Sequence, residues 1–127
     1  MTSNLRGGLM KPADLKSLIV KSLDGDKAVD IEIIDLKGQS SLADYMVVAS
    51  GTSSRHIVAL AAKLRDRLEA RGVKKIRSEG ISQGNWVVVD AGDVIVHLFR
   101  PEVREFYNIE KMWKMPVAGA PSDMVLA

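Results

Sequence analysis

A chain of 127 residues with 46% hydrophobic and 27% charged residues suits one domain with one core. It has no cysteine and only two histidines, so a disulfide framework, a thiol nucleophile and a thiolate metal site are excluded, and the histidines alone cannot hold a metal. The net charge of +2 hides a segregation. From Arg55 to Arg77 eight basic residues face only Asp66 and Glu69, a balance of +6, whereas from Ser78 to Glu110 the balance is −4. The first region suits phosphates or is the solvated face of a helix; the second suits a basic protein.

Residues 1–10 read as a disordered N-terminal extension without a signal-peptide core, and no apolar run is long enough for a membrane span; the expectation is a cytoplasmic protein with no membrane partner. Pro12 suits a first helical turn, and Leu15, Leu18, Ile19 and Leu23 recur at helical spacing until Gly25. Val29 to Leu36 alternates Val29, Ile31 and Ile33 against Asp30 and Glu32, the pattern of a half-exposed strand. Asp44 to Ser50 predicts a second strand. Gly51-Thr52-Ser53-Ser54 then turns into the strongest helix, with Ser53 as N-cap, Ile57, Leu60, Ala61, Leu64 and Leu68 on one face, and Gly72 as the left-handed residue after its end.

A third strand is expected around Lys75 to Arg77, then a loop from Glu79 to Asn85. Trp86 to Asp90 and Asp93 to Phe99 are rich in β-branched residues and predict an antiparallel hairpin closed by Ala91-Gly92. Gly92 supplies a positive φ that Ala91 adopts only at a cost, which favours a type II turn, or type I with a bulge, over type I′. Pro101 begins a last helix to about Trp113, on which Phe106, Ile109, Met112 and Trp113 have core spacing. Residues 115–127, with two prolines and many small residues, read as a disordered tail, which leaves 11–114 as the domain. The order α-β-β-α-β-β-β-α predicts an α/β fold: a mixed sheet of about five strands with flanking helices and a right-handed parallel crossover in the middle.

Two long runs carry a family resemblance: Ser40 to His56, SSLADYMVVASGTSSRH, and the hairpin WVVVDAGDVIVHLF followed by REFYNIEKMW. Together they resemble the Iojap-related ribosomal silencing factor S family over roughly residues 11–114. The resemblance implies a non-enzymatic protein without a cofactor that binds the uL-fourteen protein of the large ribosomal subunit, blocks the small subunit and silences translation when nutrients run short. It also implies homodimerisation, and a fold like that of nucleotidyltransferases.

The candidate residues divide into a partner-binding group and an anion-binding turn. Trp86, Val88 and Asp90 share one strand face while Val87 and Val89 take the core face. An exposed Trp beside acids is an interface pattern, and its bland counterpart is a Trp covered by the last helix. With Asp93, His97, Glu102, Arg104 and Tyr107 these form the partner-binding set; Arg104 and Tyr107, three apart, share one side of a helix and reach a partner, unless Arg104 pairs within the helix. Gly51, Thr52, Ser53, Ser54 and Arg55 could present amides and hydroxyls to an anion at a helix start, the alternative reading of a nucleotide-using transferase. That chemistry needs paired metal carboxylates on a following strand, which are missing here, and the same residues make an ordinary N-cap. Asp90 and Asp93 are turn-corner residues rather than a metal pair, so no metal or catalytic residue is expected. An RNA contact through the Arg55–Arg77 face is at most secondary, because exposed aromatics and a known recognition module are lacking there.

Overall fold

The computed structural model describes residues 10–114, so the extension expected at 1–10, all but Met10, and the tail expected at 115–127 lie outside the described residues. Helix α1 (Pro12–Gly25) starts on Pro12 and buries Leu15, Ile19 and Leu23. Strand β1 (Val29–Asp35) and strand β2 (Tyr45–Ser50) pair antiparallel. Helix α2 (Ser54–Ala70) buries the five predicted residues Ile57, Leu60, Ala61, Leu64 and Leu68. It ends as a Schellman motif: Gly72 has φ +88°, and the Val73 N–H donates to the Leu68 carbonyl at 3.0 Å.

Strands β3 (Arg77–Glu79), β4 (Trp86–Asp90) and β5 (Val94–Phe99) complete a five-stranded sheet of order β1-β2-β5-β4-β3, in which β2 and β5 are parallel and the other neighbours antiparallel. The crossover through α2 therefore spans two intervening strands, since β3 lies at the far edge from β2. The chain is a single α/β domain with a mixed sheet, as its element order predicts.

The sheet is covered unequally. On one face α1 and α2 close over Val47, Ala49, Val87, Val89, Val96 and Leu98 in the main core. On the other, Ile34, Leu36, Ala43, Met46, Val48 and Phe99 form a second, smaller cluster. Two short helices, α3 (Pro101–Tyr107) and α4 (Ile109–Lys114), set Val103, Ile109 and Trp113 against it.

Four expectations need correction. The buried residue of β1 is Ile34, while Val29 and Ile33 are exposed; Asp30, at φ +51°, sits in a register shift between Val29 and Glu32 that breaks the simple alternation. The third strand begins at Arg77, because Lys75 takes φ +60° and Ile76 plugs the core. Asp93 belongs to the hairpin turn rather than to β5, its carbonyl accepting from the Asp44 and Tyr45 N–H groups at 2.8 and 3.1 Å. The last helix is two helices: Asn108, at φ +47°, breaks it in the left-handed conformation that Asn tolerates. That break leaves Phe106 80% exposed and Met112 exposed as well, although their spacing predicts core.

Candidate partner-binding face

Strands β4 and β5 send alternate residues to opposite sides, and cross-strand pairs share a side. Trp86 is opposite Phe99, Val88 opposite His97, and Asp90 opposite Ile95. Helix α4 packs against β1 and helix α3 against β5 near Phe99, while Trp86, Val88, Asp90, Ile95 and His97 remain half-buried. The structure thus brings together four of the expected partner-binding residues, Trp86, Val88, Asp90 and His97, in one strip.

Trp86 is the centre of an aromatic cluster. Its ring stacks on Phe99 with centroids 4.9 Å apart, and Tyr107 from the end of α3 lies 4.8 Å away. Phe106 packs edge-on against Tyr107 at 5.0 Å. The Trp86 indole Nε1–H donates to His97 Nδ1 at 3.0 Å. Burial in this apolar setting pushes the His97 pKa down to about 4, so the ring is neutral at physiological pH. Trp86 is therefore neither fully open nor fully covered: it stacks on Phe99, lies against Tyr107 and is held through Nε1 by His97, yet stays half-buried.

Tyr107 joins this cluster from α3 and Asp90 marks the end of the strip, whereas Asp93, Glu102 and Arg104 lie away from it. Asp90 Oδ1 accepts from the Gly92 N–H at 2.9 Å, the local turn bond favoured at such corners, and Asp93 is exposed beside it. Both line an open groove of about 600 Å³ together with Lys74, Lys75, Arg77 and Leu42. The acidic and basic regions of the sequence therefore meet in space at this end of the sheet, which the linear charge balance hides. Glu102 sits exposed in the first turn of α3 and pairs with Arg100.

Arg104 is directed inward, against the expectation that it reaches outward beside Tyr107. Its guanidinium donates to both carboxylate oxygens of Glu110, at 2.7 and 3.0 Å, and to Ser50 Oγ at 2.8 Å. The Arg104 and Glu110 side chains are only 12% and 18% exposed. This fork fixes α4 on α3 across the Asn108 break and ties both to the end of β2. Glu110 is six residues from Arg104, a spacing that a continuous helix would not bring together, so the pair could not be found by helical pattern.

Other residues of the face were missed as well. Ile95 and Phe99 belong to it, and the two-residue period through His97 was the signal that could have placed them. Phe106 was missed because the helix break was missed.

The Gly51–Arg55 turn is built as an N-cap. Ser53 Oγ accepts from the His56 N–H at 3.0 Å, the Gly51 N–H donates to the Phe99 carbonyl at 2.9 Å, and the Thr52 N–H donates to His56 Nδ1 at 2.9 Å. With Nδ1 accepting, His56 carries its proton on Nε2 and donates to the Asp26 carbonyl at 3.0 Å, which joins the start of α2 to the end of α1. A Cβ on Gly51 would lie 2.7 Å from Ile57 Cγ1, so glycine is required by packing. The expected cradle of unengaged amides does not hold for Gly51 and Thr52. Among the described residues no group of three or more His, Cys, Asp or Glu could hold a metal, and no helix is long and apolar enough to cross a membrane.

Comparison with known proteins fits this fold. The family model described as "Ribosomal silencing factor during starvation" matches residues 10–124. A ribosomal silencing factor RsfS from Zymomonas mobilis is 54% identical over 102 residues, covering 80% of this chain and 77% of that one. The mouse protein named for mitochondrial assembly of the ribosomal large subunit is 35% identical over 77% of this chain and 44% of its own length. A crystal structure from Chromobacterium violaceum superposes with a TM-score of 0.79 at 36% identity, covering 93% of this chain and all of that one. The chain belongs to the RsfS family of ribosomal silencing factors, with Iojap proteins among its relatives.

Proposed function

We propose that this protein acts in the cytoplasm by docking on the large ribosomal subunit through the uL-fourteen protein, so that its bulk blocks the small subunit and translation is repressed under nutrient limitation. It does so by occlusion, with no chemistry of its own. The observation that carries this reading is the half-covered sheet face, where Trp86, Val88, His97 and Tyr107 offer apolar and aromatic surface that the described residues do not close. Half-buried Trp and Tyr supply large contact area at small entropic cost, and such residues dominate protein interfaces. Asp90 at the end of the strip and Asp93 in the adjoining turn add acidic groups suited to a basic ribosomal protein.

Membership of a family named for ribosome silencing supports a regulatory role over a catalytic one. The nucleotide-transferase alternative has no observation in its favour, since the amides of Gly51 and Thr52 are engaged within the fold. Sedimentation of purified subunits through a sucrose gradient tests the proposal. Added protein should travel with the large subunit and reduce the joined-ribosome peak. Joined ribosomes at their normal level, with the protein left at the top of the gradient, would refute it.

A further inference from the structure

On the docking reading above, we infer that His97 selects the partner by donating a hydrogen bond from Nε2–H to an oxygen acceptor, a carbonyl or carboxylate, on the docked protein. The inference starts from the indole of Trp86, which is a hydrogen-bond donor only. Its Nε1–H points at His97 Nδ1 at 3.0 Å, so Nδ1 must accept and cannot carry a proton. A neutral imidazole has one N–H, and here it must be on Nε2. Burial in an apolar setting keeps the ring in that neutral form.

Among the described residues Nε2–H has no partner, and none of their side-chain nitrogens or oxygens is both fully buried and unsatisfied. It therefore meets solvent at the surface of the strip. Its surroundings are apolar: Val88 is its cross-strand neighbour, Phe99 is stacked at 6.0 Å, and the Trp86 ring is 5.8 Å away. A partner that covers this strip removes water from a donor that must then be satisfied, because an unmade hydrogen bond inside an interface is penalised. A partner with an oxygen at that point is accepted, and one with a cation or an N–H there is rejected.

The tautomer is checked on the unmodified protein by long-range ¹H–¹⁵N correlation of the imidazole at neutral pH. The proton should be on Nε2, and a proton on Nδ1 overturns the inference. Adding the isolated uL-fourteen protein should slow exchange of that Nε2–H with water; unchanged exchange in the bound state overturns it too. Two nearly isosteric variants then separate donation from mere support of Trp86. His97→Gln can accept from Trp86 and still donate outward, whereas His97→Glu can accept but not donate. With folding verified by thermal unfolding, H97Q should bind within about threefold of the parent and H97E at least roughly tenfold more weakly, the size expected for one interfacial hydrogen bond.

Equal binding by both variants, or tighter binding by H97E, contradicts the donor role. If either variant fails to fold, the exchange measurement on the unmodified protein still decides. Failure of the unmodified chain to bind overturns the docking reading and this inference with it. Binding by the unmodified chain without a difference between the variants overturns only the role of His97.

Discussion

The two faces of the sheet use the same strands for different purposes. Toward α1 and α2, Val87, Val89, Val96 and Leu98 are fully buried. One residue along, Trp86, Val88, Ile95 and His97 are half-buried, with α3 and α4 covering only the neighbouring part of their face. The contrast teaches that fold and surface are separated here by strand parity, since the pleat sends successive side chains to opposite sides. Adjacent positions should therefore fail in different ways when mutated: one in stability, the other in binding.

The place where this division should break down is Arg104, which lies on the partly covered side yet acts as a clamp. Arg104→Ala leaves Glu110 without its bidentate partner and Ser50 without a donor, at a cost of about 3–5 kcal/mol for breaking a mostly buried pair. Denaturant midpoints should show that loss, accompanied by release of Tyr107 from Trp86 seen as altered Trp emission. A near-normal midpoint would mean that the clamp contributes little to holding α3 and α4. On the closed face, Leu98→Ala should cost about 2–5 kcal/mol by opening a cavity. Its neighbour His97, exchanged for Gln, should cost far less, and equal losses at 97 and 98 would erase the distinction between the faces.

Acid sharpens the comparison further. The folded pKa of His97 is about 4 against an ordinary value of 6.5, so between these pH values the unfolded chain binds more protons than the folded one. Stability should rise with pH through that window, by about 3 kcal/mol in all, and be fully present above 6.5. Asp26 is held below its ordinary value chiefly by a hydrogen bond from Arg67, so the stability it contributes is lost only as pH falls below 3.8. His97→Phe should flatten the upper window and leave the lower one in place. A smaller effect is expected at the cap: Ser53→Ala should lose about 0.5–2 kcal/mol and leave binding to the large subunit unchanged. Loss of binding in that variant would move the site toward α2.

Much of this division was legible in the sequence, and the omissions have physical causes. The apolar face of α2, its Ser53 cap and its Gly72 stop follow from local side-chain chemistry and spacing, which the tertiary fold leaves alone. The alternation in Trp86-Val-Val-Val-Asp90 likewise sorts the strand into a buried and a half-buried side. What escaped depends on residues far apart in the chain. Ser50 and Arg104 are separated by 54 positions, and the turn at Asn108 that brings Glu110 under Arg104 rests on one left-handed residue inside an otherwise helical pattern. In β1 the register shift at Asp30 breaks the simple alternation, so that Ile31 packs on the main core while Ile34 is buried in the smaller cluster. The charge segregation misled for a similar reason: sheet pairing sets Arg77 across from Asp90, and α2 spends Arg65 on Glu69 and Arg67 on Asp26.

The most direct test of the central claim compares binding across the two sides of the molecule. Trp86→Ala removes the centre of the half-covered strip, whereas Lys63→Glu combined with Arg71→Glu reverses two exposed charges on α2 and the turn that ends it. In co-sedimentation with purified large subunits, Trp86→Ala should lose more than about 2 kcal/mol of binding while remaining folded, and the double charge reversal should bind nearly as the parent does. Full binding by Trp86→Ala together with loss in the charge-reversed variant, and a parent affinity that falls steeply with salt, would contradict the account and place the contact on RNA phosphates through α2.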